Sequence, residues 1–376
     1  MPSLNKKTEQ VFFELLRAGL WEKDVRLSGS DAIDFNAIYS LAEEQSVVGL
    51  IAAGLEHVVD TRPPKEEVLQ FVGTALQLEQ RNLAMNQFIG DIVGKMRKMG
   101  IYTLIVKGQG VAQCYERPLW RACGDVDFLM SEENFLDARE YLRPLVANGF
   151  DPSGEEARNI SAQLPPWDIE LHTNQYIGLS KRIDKGIEAV QRSVFFEGRV
   201  RNWMNDKTQI FIPSADNDAI FIFTHFLKHF YKGGLGLRQI CDWCRLLWKH
   251  QDKIDRQLLE SRLKKMGLMS EWIAFAAYAV DFLGMPVESM PLYSDAGKWS
   301  RKARRINAFV MKVGNMGHSR DNSFYGSKSF LVRKAGSFGR RIGDLISHAT
   351  IFPLDSVRFL PRIVFNGLRS AAKGVG

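Results

Sequence analysis

For the first hundred positions of this chain the apolar residues recur at helical spacing, and after Gly100 they change to the period of a strand. That switch constrains the fold more than any other feature, because it sets a short β-region between two long helical stretches. On its N-terminal side, helices are predicted over Thr8–Leu20, within Asp31–Val58 and over Lys65–Met99. In the last of these, Val68, Phe71, Val72, Ala75, Leu76 and Leu78 recur at helical spacing behind Pro63-Pro64. Beyond Gly100, Ile101–Val106 (IYTLIV) is a short run of strand formers, followed at once by the turn-prone KGQG. A short helix is predicted over Val111–Tyr115, then a strand over Val126–Met130. The following helix has Ser131 at its cap and ends near Ala147, and Trp167–Thr173 alternates as a third strand. Two more strand candidates lie at Val194–Trp203 and Gln209–Ile212.

Helical spacing resumes behind Ser214 with Ile220, Phe223, Phe226, Leu227 and Phe230. It continues through Arg238–Lys249, Asp255–Met266 and Ser270–Leu283. The 376 residues exceed the usual size of a single core. The expected units are a helical region 1–99, an α/β core 100–213, a helical domain 214–300 and a basic region 301–376. In that last region, 15 Lys and Arg stand against 3 Asp and Glu, an excess of +12 in a chain of net charge +7, so the other 300 residues are net −5. Such a region can meet an anionic partner, although a solvated terminus satisfies the same composition. Its structure after Gly314 is left open by the sequence.

An apolar content of 45% with 25% charge excludes a disordered or fibrous chain. Cys114, Cys123, Cys241 and Cys244 are too few and too unevenly spaced for a disulfide framework, which points to a reducing cytoplasm. The N-terminal stretch lacks the apolar core of a signal peptide, and no apolar run reaches spanning length, so a transmembrane segment is not expected.

The chemistry concentrates in GDVDF, Gly124 to Phe128. Strand alternation puts Asp125 and Asp127 on one side, where two carboxylates can share a hard divalent cation. Magnesium fills its shell with water and substrate phosphates, so such a pair makes most sense beside a triphosphate. A bare D-x-D is also common on solvated faces; here the apolar Phe128, Leu129 and Met130 direct the strand into a core. In DIELH, the same alternation places Asp168, Glu170 and His172 on one face. Glu170, flanked by apolar residues, is the better third acid. Lys107 and Gly108 open a glycine turn whose amides can approach phosphate oxygens, although the spacing is neither a Walker loop nor a dinucleotide fingerprint. Arg121 can pair with a phosphate or with Asp125. His172 can orient Glu170, relay a proton or fill a structural position.

His225 and His229 share a helix face at metal-ligand spacing but show no third ligand, and read as interior polar positions near Arg238 or Asp242. A single C-x-x-C at Cys241 and Cys244 reads as buried thiols. Trp167, Trp203, Trp243, Trp248 and Tyr176 include stacking surfaces for a base, but aromatics at such spacings usually belong to the core.

The stretch KGQGVAQCYERPLWRACGDVDFL resembles the polymerase-beta-like nucleotidyltransferase superfamily. More closely it is similar to the bacterial proteins called uncharacterised nucleotidyltransferases, whose pattern is Lys-Gly, Arg, Gly-Asp-x-Asp and a strand ending in Glu-Leu-His. Lys107, Gly108, Arg121, Gly124, Asp125, Asp127, Glu170 and His172 match it in order. His225, His229, Gly236, Arg238 and Asp242 are similar to that family's helical part.

The resemblance implies an α+β fold, a small mixed sheet with helical regions at both ends. It also implies Asp125, Asp127 and Glu170 as catalytic acids holding Mg²⁺ or Mn²⁺, and Lys107, Gly108, Arg121, Gly124 and His172 around the nucleotide. The implied reaction moves a nucleoside monophosphate, AMP from ATP in the first instance, to a hydroxyl of an unidentified acceptor. Better-known members carry Gly-Ser or Gly-Gly in the first turn, where this chain has Lys-Gly-Gln-Gly. A catalytically silent nucleotide- or nucleic-acid-binding module is the alternative; a kinase of the H-x-D…N type lacks its catalytic loop here.

Overall fold

The computed structural model of the protein describes residues 5–27, 33–61, 63–150, 159–315 and 343–372. Three helices come first: α1 (Lys6–Trp21), α2 (Phe35–Glu44) and α3 (Val48–Glu56). The helical stretch expected from Asp31 is thus two helices, broken where Ser46 takes a φ of 56°. Its first two residues, Asp31 and Ala32, lie outside the described residues. Next, α4 (Lys65–Lys98) runs 34 residues from Pro64 and stops at Gly100, whose φ of 79° continues no helix. Its length of about 51 Å, at 1.5 Å per residue, lets it serve two cores. Phe71 and Ala75 enter one, and Met85, Ile89, Val93 and Met96 the other.

After Gly100 the period-2 region builds the sheet, with β1 (Leu104–Val106), the five-residue α5 (Gly108–Ala112), β2 (Asp125–Leu129) and α6 (Glu132–Leu142). Ser131 caps α6, accepting from the Asn134 amide, as its place in the sequence predicts. Then come β3 (Asn159–Leu164), β4 (Trp167–His172), α7 (Lys181–Phe196), β5 (Val200–Asn205) and β6 (Thr208–Pro213). α6 ends at Leu142 rather than near Ala147, and two of these elements differ from expectation in kind. β3 pairs antiparallel with β4 where no strand was predicted. The strand candidate beginning at Val194 is, up to Phe196, the end of α7, whose Ile183, Ile187, Val190 and Val194 make a buried helical stripe behind the Ser180 cap.

The sheet is mixed, with strand order β3-β4-β2-β1-β6-β5. β2 runs parallel to β4 and antiparallel to β1, while β1 is parallel to β6. One face carries Ile105, Val126, Phe128, Ile169 and Leu171 into the core shared with the second half of α4 and with α6. The opposite face carries the acids of β2 and β4.

Helices close the remainder: α8 (Ala215–Lys232), α9 (Leu237–Lys249), α10 (Arg256–Met266), α11 (Met269–Asp281) and α12 (Gly297–Val313). A helical stretch over 343–351 and a helix Pro353–Ala372 follow. The larger core joins α1–α3 to α8–α12 and takes in Ile351, Phe352 and Phe359, so that the basic C-terminal region packs on the body at least through these residues. Among the described residues no helix is long and apolar enough to cross a membrane.

Candidate active site

Two parallel strands in register bring the acids together. Asp125 stands opposite Asp168, Asp127 opposite Glu170 and Leu129 opposite His172. With side chains alternating, Asp127 and Glu170 project from neighbouring strands on the same face. On the other flank of β2, Val106 pairs with Asp127, so the next residue, Lys107, arrives beside that carboxylate. Lys107 takes a φ of 56°, costly for a side chain with a Cβ, and its Nζ sits 2.9 Å from Asp127 Oδ1. His172 Nε2 lies 2.8 Å from the same oxygen and 3.1 Å from Glu170 Oε2, and Asn159 of β3 holds its Nδ1 side at 3.3 Å.

The electrostatics follow from this packing. Burial works against charge on Asp127, but Lys107 and His172 outweigh it and hold the carboxyl well below the usual carboxylate range. The hydrogen bond from His172 lowers Glu170 as well. Burial opposes charge on Lys107 and His172, yet their carboxylate partners raise both above their ordinary values. Asp125 goes the other way: burial and then the neighbouring Asp127 charge push it up.

Asp127, Glu170 and His172 each offer one ligand atom, all within 4.8 Å of one another. Two carboxylates at the floor of a cleft suit a hard divalent cation, with His172 fixing their orientation or supplying a nitrogen. The donor set therefore fits a metal, and Lys107 Nζ marks a position where positive charge already sits against Asp127. Asp125 lines the same cleft but stands outside that compact group, and His172, expected near the nucleotide, stands inside it.

The cleft has a volume of about 1030 Å³. Its floor is the acidic sheet face, and its far wall comes from α8 and α9 through His225, Lys228, His229 and Arg238. His225 and His229 were expected to be interior positions of the helical domain; instead they line the cleft, with their Nε2 atoms 3.1 Å apart. Burial depresses both, His229 to about 4, so the pair is neutral at pH 7.

Arg121 also lines the cleft, and its guanidinium grips Asp242 with two bonds of 3.0 and 2.6 Å, a buried fork on that carboxylate rather than on Asp125. Burial of both groups makes that pairing compulsory, since either alone would be an uncompensated charge. Tyr115 donates to the same carboxylate at 2.8 Å.

The glycine turn also divides. Gly108 lines the cleft, whereas Gln109 is buried against Asn82 at 2.7 Å, and a Cβ on Gly110 would press on Ile212 at 3.1 Å. Gly124, at the mouth, has open space where a Cβ would stand. Cys241 and Cys244 are buried thiols, raised by burial. Arg81 of α4 and Lys228 also reach the cleft, and sequence reasoning passed over both because a lone cation on a helix carries no motif.

The sequence model of the family described as "Uncharacterised nucleotidyltransferase" matches residues 31–284, which include the cleft residues named here from Arg81 to Asp242. No curated protein and no solved structure is significantly similar to the chain. With the family's match spanning more than half its length, the chain belongs to the uncharacterised nucleotidyltransferase family.

Proposed function

We propose that this protein transfers a nucleoside monophosphate, AMP from ATP in the first instance, to a hydroxyl of a small-molecule or protein acceptor. The bond between the acceptor oxygen and the α-phosphorus forms as the α–β bridging bond breaks, and pyrophosphate leaves with the electron pair. The observation that carries this reading is the register pairing of Asp127 with Glu170 at the floor of a cleft large enough for two substrates. The polymerase-beta-like arrangement of acids, two on one strand and one on its neighbour, supports the same placement.

Asp127 and Glu170, with Asp125 beside them, would hold Mg²⁺ or Mn²⁺, which would supply neutralisation of phosphate charge and polarisation of the phosphoryl oxygens. His172 keeps Asp127 and Glu170 oriented through its bonds at 2.8 and 3.1 Å. A carboxylate of this acidic floor takes the acceptor's proton as the new bond forms. Lys107 shifts part of its charge from Asp127 to phosphate, and Gly108 and Gly124 leave room for the nucleotide to approach. The reaction belongs in the cytoplasm, in keeping with four unpaired cysteines, and the excess of +12 over residues 301–376 fits an anionic partner.

Pyrophosphate release from a panel of nucleoside triphosphates and hydroxyl acceptors, with Mg²⁺ or Mn²⁺, tests the proposal. Asp127→Asn should lower the rate roughly a thousandfold, the equivalent of about 4 kcal/mol of lost charge stabilisation. Triphosphate binding without any pyrophosphate release would instead favour the silent binding module.

A further inference from the structure

The cleft is electrically two-sided. Its floor presents Asp125, Asp127, Asp168 and Glu170, while the wall opposite presents Lys228 and Arg238, with Arg81 at the edge. The two histidines of that wall are neutral and, among the described residues, bond to one another along the 3.1 Å line, so the wall's charge belongs to the lysine and the arginines.

These cations are not consumed by the fold. Asp242, the carboxylate nearest Arg238 in sequence, is already taken by both bonds of the Arg121 fork. Arg238 is left with a bond from one Nη to the Ala122 carbonyl at 2.8 Å, and its buried Nε has no hydrogen-bond partner among the described residues. Burial and the neighbouring Arg121 charge both lower it, outweighing the more distant carboxylates of Asp242 and Asp125. Lys228 reaches the cleft from α8 and makes no ion pair with a carboxylate among the described residues. Arg81 holds only a 3.5 Å bond to the Gly124 carbonyl and lies over the Trp167 ring. Leaving a guanidinium half-buried without an anion is costly, and an anionic ligand would remove that cost.

We infer that Lys228, Arg238 and Arg81 form a polyphosphate subsite facing the acids across the cleft. On the proposed transferase reading, on which this rests, they take the β- and γ-phosphates while the acids serve the α-phosphate side. A chain of linked phosphates matches the wall because it presents several oxygens to separated cations, where a single small anion would meet one at a time.

The test is calorimetric titration of the full-length protein with inorganic tripolyphosphate and pyrophosphate in buffer containing a chelator. Tripolyphosphate should bind more tightly than pyrophosphate. Lys228→Gln and Arg238→Gln should each weaken it about tenfold or more, the scale of one charge-assisted hydrogen bond, with Arg238→Lys in between. Lys228 is exposed, so its substitution reports on binding even if changes at Arg238 disturb folding. Absence of tripolyphosphate binding to the unaltered protein, or an unchanged Kd in Lys228→Gln, overturns the inference. The two readings fail separately. Binding that depends on these cations without pyrophosphate release ends the transferase reading and keeps the subsite; unaltered KM for triphosphate in Lys228→Gln and Arg238→Gln does the reverse.

Discussion

Asp242 sits between two guanidinium groups and bonds only one of them. It accepts from Arg121 at 2.6 and 3.0 Å and from Tyr115 at 2.8 Å, while Arg238 feels its charge from farther off. Removing that carboxylate leaves Arg121 buried without a counter-charge, which outweighs the loss of the hydrogen bonds themselves. Asp242→Asn should therefore cost about 3 kcal/mol, seen as a lower midpoint in urea unfolding with an unchanged slope. A stability within 0.5 kcal/mol or so of the unaltered protein would show that Arg121 finds another partner. The acids of the site were readable one residue at a time, because alternation along a strand is local: Asp125, Asp127 and Glu170 needed only their own segments. The partner of Arg121 was not, since Asp242 lies 121 residues away on α9 and no local rule connects them.

At the level of elements, α1 and α3 cross with backbone against backbone. A Cβ on Gly54 would meet the Leu15 carbonyl oxygen at 2.0 Å, and one on Gly19 the Leu50 carbonyl oxygen at 1.9 Å. Alanine normally gains about 1 kcal/mol over glycine inside a helix. Here the clash is with rigid backbone, and overpacking of this kind costs about 1–3 kcal/mol or more, so the sign reverses. Gly54→Ala should lower the melting temperature, whereas Gly73→Ala, with nothing within 4 Å of its added Cβ, should hold or raise it. Equal shifts in the two variants would mean that α1 and α3 can separate freely. Element type was largely readable here: α4, α6 and α9–α11 announce themselves by period, and α6 also by its Ser131 cap. β3 did not, because NISAQL is too polar to read as a strand until β4 provides its partner. Likewise Val194-Phe195-Phe196, all good strand formers, stay in α7 because Val194 completes the buried stripe that starts at Ile183, while Phe196 ends the helix exposed.

Across the whole molecule, the C-terminal helix comes back to the body beside Glu271 of α11. Burial, with the Asp355 charge next to it, raises Glu271 from 4.5 to about 8, and Tyr231 reaches it at 3.5 Å. A carboxyl with a raised folded value binds its proton more tightly in the folded state. The contribution of Glu271 to stability is therefore fully present below about pH 4.5, declines as pH rises, and is lost once pH passes the folded value near 8. Melting temperatures should fall across that window, and Glu271→Gln, which keeps the shape and cannot ionise, should flatten the decline. An unchanged slope in that variant would assign the pH dependence to other groups.

Most of the order of helices and strands and the shared face of Asp125 and Asp127 were determined by the sequence alone, because periodicity and capping act over a few residues. Which strand lies beside which, that Lys107 and His172 meet on Asp127, that Arg121 is committed to Asp242, and that His225, Lys228 and Arg238 face the acids across a cleft were decided only by tertiary packing. The reason is physical: burying two sheet faces against separate sets of helices brings together charges far apart in the chain, and their pairing is enforced by the cost of leaving any of them alone in the interior.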